Sequence, residues 1–110
     1  MHIEKSVTLD CSKFINEGVF YDELISVFGF PNFFGRNIHA LIDCLSGLRY
    51  PEEGMIKVNI TKTGTLLLKL KNYSLADDTT QKILMFSVES VNSRAQQEQL
   101  SPPILLCLEK

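Results

Sequence analysis

Cysteine is scarce: Cys11, Cys44 and Cys107 are odd in number and far apart, which excludes a disulfide-stapled scaffold. No CxxC pair and no cluster of cysteine with histidine occurs, so nothing is spaced to hold a metal tetrahedrally. Histidine is limited to His2 and His39. No run approaches 18 apolar residues, and the first ten, MHIEKSVTLD, carry charges where a signal peptide needs an apolar core. The expectation is a cytoplasmic protein with no membrane contact. Positive charge is not in excess either, with 11 Lys and Arg against 13 Asp and Glu and a net charge of −2, so no global field gathers phosphates. Lys57, Lys62, Lys69 and Lys71 form a local basic stretch, but no aromatic ladder runs between them. Direct nucleic-acid binding is therefore not expected. Glycine-rich phosphate loops, HExxH and paired catalytic carboxylates are absent, which leaves no cofactor, no metal and no enzyme class to name.

What is present is a balanced chain of 110 residues, 45% apolar and 22% charged. That length buries roughly two-thirds of the unfolded surface, enough for one core, and residues 1–110 read as one domain.

The apolar pattern divides the chain into elements. Ile3 to Leu9 alternates as a strand, with Ile3, Lys5, Val7 and Leu9 on one side. Phe20, Leu24, Val27 and Phe28 recur at helical spacing in a segment from about Glu17 to Phe28, which Gly29 ends. Pro31 to Gly35 interrupts the pattern with two aromatics between punctuating residues, so a structured loop is expected. The strongest helical stripe is Ile38, Leu41, Ile42 and Leu45, with Asn37 before it as cap and Gly47 behind it. Beside that stripe Arg36, His39, Asp43 and Ser46, spaced 3, 4 and 3, share a polar face bordered by Ile42.

Met55 to Ile60 and Thr65 to Lys71 are β-prone runs separated by four residues containing Gly64, which reads as an antiparallel hairpin. A helix is expected from Gln81 to about Gln96, although Phe86-Ser87-Val88 also suits extended chain. After Pro102-Pro103, Ile104 to Leu108 is nearly continuously apolar and suits a strand covered on both faces. Strands joined through helices imply partly parallel pairing, hence a small α/β layer.

Catalytic arrangements are thin. Cys44 and His39, at i, i+5, diverge by about 140° on a helix and cannot meet. His39 and Asp43, at i, i+4, could form a His–carboxylate dyad. The plainer reading is a surface pair worth ~0.3–0.5 kcal/mol.

Residues 28–48, FGFPNFFGRNIHALIDCLSGL, carry more. The segment resembles the barstar family, intracellular inhibitors of barnase-type ribonucleases, through Pro31, Phe33, Phe34, Gly35, Asn37, Ile38, Ala40, Leu41, Asp43, Leu45 and Gly47. The resemblance implies a short, largely parallel sheet packed with helices, to which the Gly64 hairpin is an addition. It also implies a ribonuclease inhibitor or immunity protein, a monomer when free, that occludes a toxin's active site with a helix-borne carboxylate. A ribonuclease cleft is lined with cations, so a carboxylate on a rigid helix can take several charge-assisted hydrogen bonds there. Carried over by position, the partner contacts fall on Phe33, Gly35, Asn37, His39, Ile42, Asp43, Ser46 and Gly47, with a later acid near Glu89. The chain departs from the family where His39, Arg36 and Asn32 replace acids and where Ile42 and Leu48 replace large aromatics. Arg36 and Asp43 then cancel over residues 31–48, which weakens steering toward a basic cleft. The alternative reading is a scaffold of the same fold that binds another protein without inhibiting a nuclease.

Overall fold

The computed structural model describes residues 1–109. Strand β1 (His2–Asp10) leads through a 3-10 turn, Cys11–Lys13, to helix α1 (Glu17–Phe28), and a loop joins it to α2 (Ile38–Ser46). Two 3-10 turns and an irregular crossing then reach β2 (Gly64–Lys71), followed by α3 (Asp78–Gln97) and β3 (Ile104–Glu109). The three strands form one sheet in the order β1-β2-β3, parallel throughout. This is the α/β arrangement expected, short and parallel.

Local chemistry sets the helix ends. Asn16 caps α1 by accepting from Val19 N, and Asn37 and Asp77 do the same for α2 and α3 through Ala40 N and Thr80 N. Gly29 closes α1 with φ +72, a conformation that favours glycine, and the Lys57 side chain lies where a Cβ would stand. Leu66, Leu68 and Leu70 of β2 are fully buried between Leu9 and Ile104 of the neighbouring strands and the helices. Against them pack Phe20, Leu24 and Phe28 of α1, Leu41 and Leu45 of α2, and Leu84, Val88 and Val91 of α3.

Three expectations are corrected. The hairpin does not form, because Met55 to Ile60 is not a strand. Its backbone bonds are taken by helix ends instead: Lys57 N donates to Phe28 O at 3.0 Å and Ile60 N to Leu48 O at 2.9 Å. Ile56 and Ile60 are still buried, so an apolar run of strand length fills the core as irregular chain. Gly64 serves β1 rather than a turn. A bulge between Ile3 and Lys5 carries the Glu4 carboxylate over Gly64, where any Cβ would meet it, and onto Thr61. The bulge also removes Ile3 from the face shared by Val7 and Leu9, leaving it exposed. Finally, β3 is an edge strand and is not covered on both faces, since Leu105 and Leu108 are exposed. Among the described residues no helix is long and apolar enough to cross a membrane.

Candidate protein-binding face

The loop before α2 is pinned by its aromatics. Phe30 stacks on Phe28 at 5.7 Å, and Phe34 lies against Phe30 at 4.9 Å and Tyr21 at 5.7 Å. Phe34 N donates to Pro31 O at 2.9 Å, a tight turn that throws Phe33 outward, where it is 76% exposed. Arg36 has φ +52 and stands outside α2. Its guanidinium donates to Asp22 Oδ1 at 2.8 Å and Gly18 O at 3.0 Å, stapling the loop to α1. Arg36 is thus removed from the polar stripe expected of α2.

Gly35 and Asn37 build the helix start together. Asn37 Nδ2 donates to Gly35 O at 3.1 Å while its Oδ1 accepts from Ala40 N at 2.9 Å. His39 and Asp43 stand exposed one turn apart. No hydrogen bond or ion pair joins them among the described residues, so the dyad does not form. Asp43 is instead engaged across helices. Arg94 Nη1 of α3 donates to Asp43 Oδ1 at 3.3 Å and to Ser46 Oγ at 2.9 Å, and the Asp43 side chain keeps 59% of its surface open. The Ser46 hydroxyl in turn donates to Ile42 O at 2.7 Å. Asp43, Ser46 and Arg94 line a shallow depression with Tyr50, Glu53 and Met55.

Three expected contacts do not reach this face as side chains. Ile42 is 5% exposed and belongs to the core. Gly47 is buried, with Met55 Cβ 3.1 Å from where its own Cβ would stand. Glu89 precedes Arg94 by five residues, about 140° around α3, and lines a groove with Pro102 and Leu106 instead. Two arginines escaped the sequence reading. Arg94 is linked to Asp43 over 51 positions. Arg49 lies buried behind the end of α2, its Nε and Nη2 donating to Gly64 O at 3.2 and 2.6 Å and Nη2 also to Ser101 Oγ at 3.2 Å. Burial lowers its pKa. An Arg at either position has no local signal, since both partners come from distant elements.

The geometry is an exposed aromatic on a rigid loop followed by an exposed carboxylate in mid-helix. Residues 4–101 match the family model for Barstar (barnase inhibitor). The chain belongs to the barstar family. A Bacillus subtilis (strain 168) protein named "Putative ribonuclease inhibitor YrdF" is 40% identical over 43 residues, 39% of this chain. That match spans 47% of the Bacillus protein, about half its length. In this barstar-family chain, the Asn37 cap joins the loop to α2, and Arg94 reaches Asp43 from α3.

Proposed function

We propose that this barstar-family chain is a cytoplasmic, non-enzymatic inhibitor of a barnase-type ribonuclease or related toxin, acting as one domain. The carrying observation is the Asp43 carboxylate, exposed at the middle of α2 on a helix whose opposite side is locked into the core. A helix held by Leu41 and Leu45 presents that carboxylate without further ordering, so little entropy opposes its entry into a cationic cleft. Phe33 supplies an exposed aromatic at the rim, the residue type that anchors interfaces. His39 lies between the two on α2, and Ser46 continues the surface toward Arg94. Gly35 and Asn37 contribute by shaping the loop-to-helix junction. The family match over residues 4–101 supports inhibition over catalysis.

A pull-down from cell lysate and secreted material, with wild type and Asp43→Ala as paired baits, tests this. A ribonuclease held and inhibited by the first and lost from the second is the expected result. Asp43→Ala should change folding stability by under ~1 kcal/mol, since an exposed pair contributes little. Retention of the same ribonuclease by both baits places the interface elsewhere. One observation favours the scaffold alternative, namely that Asp43 already has a partner in Arg94. On that reading the retained protein is no nuclease and Asp43→Ala binds it unchanged.

A further inference from the structure

Arg49 is a buried cation without a counter-ion. It is 3% exposed, and among the described residues no carboxylate lies within ion-pair distance of it. Glu4, the carboxylate whose field it feels, is committed to Thr61. A buried charge met only by neutral groups is costly. Arg49 Nε and Nη2 are taken by Gly64 O and Ser101 Oγ, while Nη1 is buried with no hydrogen-bond partner. A guanidinium is planar, so the edge that carries Nη1 is turned away from the edge bound to Gly64. Behind the end of α2 is a cavity of about 110 Å³ that Arg49 lines and Gly64 does not. Arg94, Ser46, Tyr50 and Glu98 share its wall, with apolar side chains of α3 closing the rest. Two guanidinium groups therefore border one small space. Arg94 engages Asp43 and Ser46 through Nη1, which leaves Nε and Nη2 among its donors. Glu98, the one carboxylate on the wall, accepts from the Tyr50 hydroxyl at 3.3 Å and pairs with neither arginine.

We propose that this cavity binds one small tetrahedral oxyanion of the phosphate type, held by Arg49 from the buried side and by Arg94 from the open side. A water molecule's share of the liquid is about 30 Å³, so the space suits about three waters or one such ion, with no room for a nucleoside beside it. Water would leave Arg49 without opposite charge. An oxyanion supplies that charge and several acceptors at once, which guanidinium groups meet with charge-assisted bonds. Arg94 also lines the depression that holds Asp43, so the ion and Asp43 compete for one cation. Filling the cavity draws Arg94 off Asp43 and leaves that carboxylate with more of its charge, and the coupling runs equally in reverse.

Titration calorimetry of the intact chain with inorganic phosphate, at ionic strength fixed with chloride, tests the site. One saturable ion per chain is expected, with a Kd of about 1 mM or tighter. Arg94→Gln should weaken it about fivefold or more, and Arg49→Met should abolish it. Asp43→Asn and Glu98→Gln each remove a competing negative charge and should tighten it about twofold or more. All three of Asp43, Arg94 and Glu98 are exposed positions, so they carry the test even if Arg49→Met fails to fold. Adenosine 5′-monophosphate in parallel should bind more weakly than phosphate, and tighter binding overturns the assignment to a free ion. No saturable binding overturns the proposal. So does binding indifferent to Arg94→Gln, or an equal response to added chloride alone. Ribonuclease inhibition through Asp43 stands or falls separately, because it is read from the Asp43→Ala bait and needs no oxyanion.

Discussion

At the scale of single residues, the partner of Asp43 is the feature that separates this chain from a bare carboxylate plug. Arg94 offsets the charge without covering it, and the 3.3 Å contact is long for a charge-assisted bond. On the proposed inhibitor reading, a cation in the partner's cleft has only a weak, half-exposed competitor to displace. Arg94→Ala should therefore cost under ~1 kcal/mol of stability. It should also raise the association rate with the captured ribonuclease about threefold or more at low salt, the gain vanishing at high ionic strength. Stopped-flow mixing across salt concentrations checks this, and a rate unchanged at low salt removes Arg94 from the electrostatics of encounter. The thiols also divide by environment. Burial foremost, with Asp10 and Asp43 beside them, pushes Cys11 and Cys44 up to about 11, while Cys107 lies partly open on the edge strand. At pH 8 the native chain should react with an aromatic disulfide reagent at one thiol quickly and at two only on unfolding. Three equally fast thiols would contradict the burial.

Among the elements, α2 and its loop were the most legible in the sequence, because each uses a short-range rule. Asn37 as cap and Ile38, Leu41, Ile42 and Leu45 as stripe follow from local spacing, and the structure has them so. The same stripe explains the burial of Ile42, since a residue on the border of an apolar face is drawn into the core with its neighbours. Asn37→Ala should cost about 1 kcal/mol, read as a lower urea midpoint at constant slope. Because Asn37 also holds Gly35 O, the variant should loosen the loop and weaken partner binding more than that stability loss implies. Equal stability in the variant would show that the cap is dispensable. The Met55 to Ile60 run was misread for a definite reason. A short apolar segment has the same composition whether its N–H groups meet a strand or the last carbonyls of two helices, and only the positions of Phe28 O and Leu48 O decide.

For the molecule as a whole, two carboxylates tie segments that are far apart in sequence. Glu4 accepts from Thr61 N at 2.7 Å and Thr61 Oγ1 at 2.8 Å, and these bonds, the backbone one foremost, lower its pKa from the ordinary 4.5. Asp10 accepts from Ser12 and from Asn72 Nδ2, and is lowered from 3.8 with the Ser12 side chain as the first cause. A carboxyl whose folded pKa is lowered contributes stability above its ordinary pKa and loses it as pH falls through the folded value. Urea midpoints should therefore hold from pH 7 to about 5 and drop below about pH 4. Glu4→Gln should be weaker than wild type at pH 7 and nearly equal to it in acid. A constant difference across that range would show that Glu4 acts by packing alone.

The sequence by itself determined the helices, the α/β class, the family and the place of Asp43 on α2, because periodicity, caps and a continuous motif act over a few residues. Only the tertiary structure decided what Asp43 touches, where Gly64 and Glu4 meet, that Glu89 faces away from α2 and that β3 lies at an open edge. Each of those depends on which distant elements become neighbours. That choice is made by the packing of the whole core, and no window along the chain contains it.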